Sequence, residues 1–143
     1  MRPLMAAAAM VILTGCSGSP ITAPRIERAI APTFANLMHL QVPSMGLPAM
    51  APAEFAPAAS CRKVGAPGAA STHSGSGDWI CTILWRGPGQ RPLRDVYDLF
   101  VTTDGCYMAT VEGESLAKPV LTTKDGRDVR NLLYVFEGCF DTT

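Results

Sequence analysis

The sequence predicts an α+β fold in which one N-terminal amphipathic helix packs on a small antiparallel sheet of four or five strands, stapled by two disulfides. Three observations carry this expectation. The apolar period is near 3.6 between residues 24 and 42 and becomes two from Trp79 onward. Asp-Gly pairs at 104–105 and 125–126 interrupt the alternating part, as hairpin turns do. Four cysteines after residue 60 form an even set, the number that internal pairing needs.

In the helix, Ile26, Ala29, Ile30, Phe34, Leu37 and Met38 recur at three- and four-residue steps. Arg25, Glu27, Arg28 and Asn36 fall largely on the other side. Thr22 stands where a cap belongs and Pro24 where the first turn accepts proline. Pro32 lies inside the pattern and is expected to kink the helix or to move its start.

Residues 43–60 read as a Pro/Ala-rich linker, because Pro43, Pro48, Pro52 and Pro57 favour an extended path. Stretched out, such an arm would reach roughly 50 Å at about 3.1 Å per residue. Gly65 to Asp78 is rich in Gly, Ser and Ala and reads as a mobile loop, closed at its base if Cys61 meets Cys81.

Residues 61–143 form the disulfide-stapled, β-rich part. Trp79, Cys81, Ile83 and Trp85 alternate with Ile80, Thr82, Leu84 and Arg86, a pattern that suits a central strand. Gly87-Pro88-Gly89 ends it, and Asp95 to Thr103 alternates again. A two-residue turn at Asp104-Gly105 would pair Thr103 with Cys106, Val101 with Met108 and Leu99 with Thr110. Cys106 would then share the core face with Tyr97, Leu99 and Val101. Asp125-Gly126 separates residues 119–123 from the apolar stretch Leu132 to Phe136, and Cys139 follows. Of the three possible pairings, Cys61–Cys81 and Cys106–Cys139 are favoured, because each closes a loop of moderate length. Such loops contribute roughly 3–4 kcal/mol apiece. Zinc is disfavoured, since the gaps of 20, 25 and 33 positions lack the short ligand spacings it needs. No metal or other cofactor is expected.

The N-terminus carries the clearest functional information. Met1-Arg2-Pro3 supplies one positive charge, and Leu4 to Leu13 is an apolar run of signal-peptide length, too short to span a bilayer. It ends in Leu13-Thr14-Gly15-Cys16, which resembles a bacterial lipobox. Residues 1–15 are therefore expected to be a lipoprotein signal peptide, Cys16 the lipidated first residue, and 16–23 a tether. Lipidation of Cys16 also accounts for the odd fifth cysteine. Two or three acyl chains hold a protein at a membrane that no helix crosses. The expected location is the extracytoplasmic face of the cell membrane.

Twelve basic residues balance twelve acidic ones, and loss of Arg2 with the leader leaves eleven against twelve. No cationic excess is available for a phosphate backbone, so nucleic acid is not an expected partner. The catalytic candidates are poor. His73 lies in the Gly/Ser stretch and reads as solvated, and His39 sits at the helix end. No nucleophile elbow or phosphate loop is present. Asp95, Asp98, Glu112 and Glu114 flank strands, where carboxylates usually solvate an edge. Trp79, Trp85, Tyr97 and Tyr107 lie on neighbouring strands and read first as core, with an exposed aromatic binding surface as the functional alternative.

Trp79-Ile80-Cys81, the run Asp104-Gly105-Cys106-Tyr107-Met108-Ala109 and Glu137-Gly138-Cys139-Phe140-Asp141, together with Phe34-Ala35-Asn36-Leu37, resemble a group of small actinobacterial lipoproteins. The resemblance covers the lipobox and about the last sixty residues. It implies an envelope location and transfers no catalytic residue. The expected function is a non-catalytic binding or scaffolding module, tethered by its lipid and meeting an extracytoplasmic protein or cell-wall partner. A lipid-tethered inhibitor of a secreted hydrolase and a small carboxylate-dependent hydrolase are the alternatives.

Overall fold

Helix α1 spans Ala23–Ser44 and is the first element of a computed structural model that describes residues 20–68, 73–113 and 116–142. Its buried stripe is Ala23, Ile26, Ile30, Phe34, Ala35, Met38, Gln41 and Val42; Ala29 and Leu37, expected on this face, are only partly buried beside it. Thr22 occupies the N-cap without a side-chain cap bond, and its backbone bridges to Ser74 instead. Pro32 removes one helical hydrogen bond, yet α1 runs through it. Ile26 and Ile30 before the proline and Phe34 and Met38 after it enter the same core, which holds both halves on the sheet.

The sheet has five antiparallel strands in the order β1-β2-β3-β4-β7: β1 Ala58–Lys63, β2 Gly77–Arg86, β3 Pro92–Val101, β4 Cys106–Glu112 and β7 Val135–Cys139. A separate ribbon pairs β5 Val120–Thr122 with β6 Asp128–Arg130. Period-two alternation sends Cys61, Trp79, Cys81, Ile83, Trp85, Tyr97, Leu99, Val101, Tyr107, Ala109, Val111 and Phe136 to the helix side, where all are buried. Edge-to-face contacts knit this layer: Phe34 to Trp85 at 5.4 Å and Tyr97 to Phe136 at 5.2 Å between ring centroids.

Both disulfides join directly opposed residues of neighbouring strands, Cys61 to Cys81 and Cys106 to Cys139. The bond from Val64 N–H to Asp78 O fixes the phase of the first ladder, and that from Phe140 N–H to Gly105 O fixes the second. Counting back from each puts the cysteines at non-hydrogen-bonded sites, where Cα atoms approach most closely. The observed Cα separations are 4.1 and 3.9 Å.

Two sequence expectations need correction here. The segment 43–60 is not an extended arm. Its first two residues finish α1, a 3₁₀ turn forms at Pro52–Phe55, and β1 begins at Ala58. Pro52 suits the start of a 3₁₀ turn, and Phe55 is fully buried against Trp85, so burial of one aromatic ring overrides the extended preference. The hairpin after β3 is also one residue out of the expected register. Val101 pairs with Tyr107, Phe100 with Met108 and Leu99 with Ala109. The loop has three residues: Gly105 N–H donates to Thr102 O at 3.1 Å, and Gly105 alone takes positive φ, at 84°. A type I turn closed by a left-handed glycine replaces the two-residue turn. One residue of register inverts every side chain, so Cys106 faces away from the helix while Tyr107 enters the core.

Candidate functional site

The helix covers one face of the sheet, and the opposite face is open to solvent. Reading across the strands, the first row is Ala58, Leu84 and Arg94, and the second is Ser60, Thr82, Val96 and Glu112. The third is Arg62, Ile80, Asp98, Thr110 and Val135, and the fourth is Asp78, Phe100, Met108 and Glu137. Leu84 and Phe100 are each 53 % exposed and Met108 is 47 % exposed. Phe100 and Met108 sit directly opposite each other. Val64, Ile80, Phe100, Met108, Asp98 and Glu112 line a recess of about 490 Å³ on this face.

Asp98 and Glu112 are diagonal cross-strand neighbours, close enough for their carboxyl groups to hydrogen-bond. That bond and the charge of Asp98 raise the Glu112 pKa above the ordinary glutamate value, with a smaller push from burial. The pair holds a proton more readily than a lone carboxylate does. Arg86 and Arg94 stand at the opposite end of the face, beside Leu84 and Pro92. The Cys106–Cys139 disulfide closes the acidic end, next to Phe100, Met108 and Glu137.

The aromatic residues singled out from the sequence are elsewhere. Trp79, Trp85, Tyr97 and Tyr107 all point into the core, at 0 %, 6 %, 0 % and 3 % exposure, and form no external platform. Each polar tip is satisfied inside. Trp79 Nε1 donates to Gly75 O at 3.0 Å and Trp85 Nε1 to Asp95 Oδ2 at 2.7 Å. Tyr97 OH donates to Leu133 O at 3.1 Å and Tyr107 OH to Thr33 Oγ1 at 3.2 Å. Burial raises the pKa of both tyrosines, with the charge of Asp95 adding to the effect at Tyr97. The exposed aromatic is Phe100. Its position in β3 has the parity of Arg94 and Asp98, an apolar residue on a polar face, and that parity was the available signal.

Asp95 is likewise buried rather than at a solvated edge. His73 is not solvated either: its Nδ1 accepts the Lys63 N–H at 3.1 Å, on the free side of β1. His39 is exposed and donates from Nδ1 to Met50 O at 2.7 Å. Among the described residues, no group of three or more His, Cys, Asp or Glu side chains could hold a metal ion. Cys16, residues 1–15 and Glu114 lie outside the described residues. No described helix is long and apolar enough to cross a membrane.

No family model, curated protein or solved structure matches this chain.

With no relative to supply a site, the geometry stands alone. It offers a surface rather than a cleft: Leu84, Val96, Ile80, Phe100 and Met108 run among charged side chains, with Arg86 and Arg94 at one end of the face and Asp78 and Glu137 at the other. A surface of this make-up can bind another polypeptide.

Proposed function

We propose that the protein is a lipid-anchored, non-catalytic binding module of the cell envelope, and that it docks its partner on the open face of the sheet. The observation that carries this reading is the opposed pair Phe100 and Met108, half exposed on the two adjoining inner strands at one end of a sheet whose other face is fully packed. A contiguous apolar patch on a folded domain loses free energy to water that a partner would recover. The two disulfides fit an oxidising, extracytoplasmic compartment. The anchor rests on Leu13-Thr14-Gly15-Cys16. The carboxylate-hydrolase reading has less support: Asp98 and Glu112 are within hydrogen-bond reach, whereas retaining glycosidases hold their carboxyls about 5 Å apart. The inhibitor reading predicts a rigid exposed aromatic patch, and Trp79, Trp85, Tyr97 and Tyr107, the strand aromatics that could have formed one, are in the core.

A photo-crosslinking residue placed at position 100 of the full chain in intact cells tests the docking face. Position 40 is the control, because Leu40 is 59 % exposed but lies on α1. Adducts from position 100 and none from position 40 are expected; none from 100, or equal yields from both, count against the reading. The anchor is tested separately. Cys16→Ser should abolish partition with membranes or block processing, and unchanged partition and processing would refute it.

A further inference from the structure

Given that docking face, we propose that its occupant is a second copy of this chain, stacked face to face about a two-fold axis that lies between the sheets and runs across the strands. The charge layout selects this arrangement. Arg86 and Arg94 lie where β2 ends and β3 begins, while Asp78 and Glu137 lie at the far end of the same face, level with Phe100 and Met108. Asp98 is one row in from that end, and Arg62 stands level with it at the β1 margin.

An axis across the strands brings the end of one copy over the opposite end of the other. Arg86 and Arg94 of each copy then bracket Asp78 of its partner, twice per dimer, because a two-fold interface repeats each contact. Ile80, Leu84, Val96, Phe100 and Met108 fill the space between, as inner residues do in stacked sheets about 10 Å apart. An axis along the strands would instead place acid over acid and base over base. Like charges face to face cost several kcal/mol, which disfavours that axis; with the axis across the strands the like-charge approach is confined to Glu112 beside the partner's Asp98.

Pairing through the β1 edge is a poorer route. Two outward amides of β1 are already taken: Cys61 N–H donates to Glu27 Oε1 at 2.8 Å and Lys63 N–H to His73 Nδ1 at 3.1 Å. Face-to-face stacking needs neither edge and closes at two copies. Lipid anchoring of both copies to one membrane would raise their effective concentration and favour the encounter.

The test uses the full membrane-anchored chain with the photo-crosslinker at position 100. The expected product has twice the chain mass, with crosslinked peptides from the part of β2 or β3 around Leu84 and Arg94. Asp78→Arg alone should reduce it by at least roughly tenfold through like-charge contact with Arg86 and Arg94, and Arg86→Asp with Arg94→Asp should do the same. The three substitutions together should restore it. All three positions are exposed, so folding is expected to survive each change. Adducts of some other mass overturn the second copy while leaving the docking face standing. No adduct at all overturns both. A doubled mass that the triple variant fails to restore overturns the two-fold arrangement.

Discussion

Glu27 reaches from α1 to the free side of β1, where its Oε1 accepts the backbone N–H of Cys61 at 2.8 Å. A helix side chain thereby fills a position that a sixth strand would otherwise take. The bond also fixes α1 against the strand that carries one end of the Cys61–Cys81 disulfide. Glu27→Ala leaves a partly buried amide without that acceptor and is expected to cost about 1–3 kcal/mol. Glu27→Gln keeps an acceptor oxygen and should cost less. Urea unfolding checks both, and an alanine variant as stable as the parent would refute the role.

The two Asp-Gly turns are the same device used twice. In Thr102-Thr103-Asp104-Gly105-Cys106 and Thr123-Lys124-Asp125-Gly126-Arg127, the threonine hydroxyl donates to the aspartate two residues on. In both, the threonine N–H donates to the carbonyl four residues on, at 2.8 Å. These hydroxyl bonds are the main cause of a lowered pKa at Asp104 and at Asp125, aided by the Cys106 N–H and the Arg127 side chain respectively. A depressed folded-state pKa gives stability that is present above the ordinary aspartate value and is lost as pH falls through the folded value. Thr102→Val and Thr123→Val should each lower stability at neutral pH, and the gap from the parent should close on acidification. Unfolding curves between neutral pH and the acid limb would show it; a gap that stays constant with pH would assign the loss to packing.

Those turns also mark the limit of what the sequence reveals. Helix α1, the strand around Trp79 and both disulfide partners follow from periodicity and cysteine spacing, because each depends on residues near in sequence or on simple parity. Turn type does not follow from Asp-Gly alone. The preceding threonine hydroxyl stabilises a three-residue loop, and that single residue moves Cys106 out of the core and Tyr107 into it. Parity could have placed Asp95 inside, since it alternates with Tyr97 and Leu99, but its indole partner Trp85 lies on another strand. Phe55 was hidden by the prolines around it, because only the assembled core shows the gap between α1 and β2 that its ring fills. The open face was invisible for a related reason: which side α1 covers is a tertiary outcome.

Gly138 tests how tightly the last strand is packed. It lies directly opposite Tyr107, and a Cβ there would come within 2.6 Å of the Tyr107 Cζ. That ring is anchored at its far end by the hydroxyl contact with Thr33 of α1, so it has little room to yield. Gly138→Ala should destabilise by about 1–3 kcal/mol through overpacking. In the Gly138→Ala background Tyr107→Phe removes the hydroxyl but leaves Cζ and Cε1 in the way, whereas Tyr107→Leu clears all three atoms and should recover more of the loss. A thermal-melt series reads this directly, and an unchanged melting temperature in Gly138→Ala would contradict the close approach.

Glu112 gives the molecule a pH dependence of the opposite sign to that of the turns. Its neighbours are Val96 opposite, Thr110 along the strand, and Asp98 and Arg94 on the two diagonals; the hydrogen bond and charge of Asp98 raise its pKa. The folded chain therefore binds a proton more tightly here than the unfolded chain does. Folding takes up that proton between the ordinary glutamate value and the raised one, so this contribution to stability falls as pH climbs through the interval. Glu112→Gln removes the repulsion and should be more stable than the parent at neutral pH, with the advantage vanishing below the ordinary glutamate range. Asp98→Asn should act in the same direction. The double variant should gain less than the two singles together, because either change alone relieves the one repulsive contact. Additive gains would mean that the two carboxylates do not sense each other, and a Glu112→Gln variant no more stable than the parent at neutral pH would remove the pair from the account of this face.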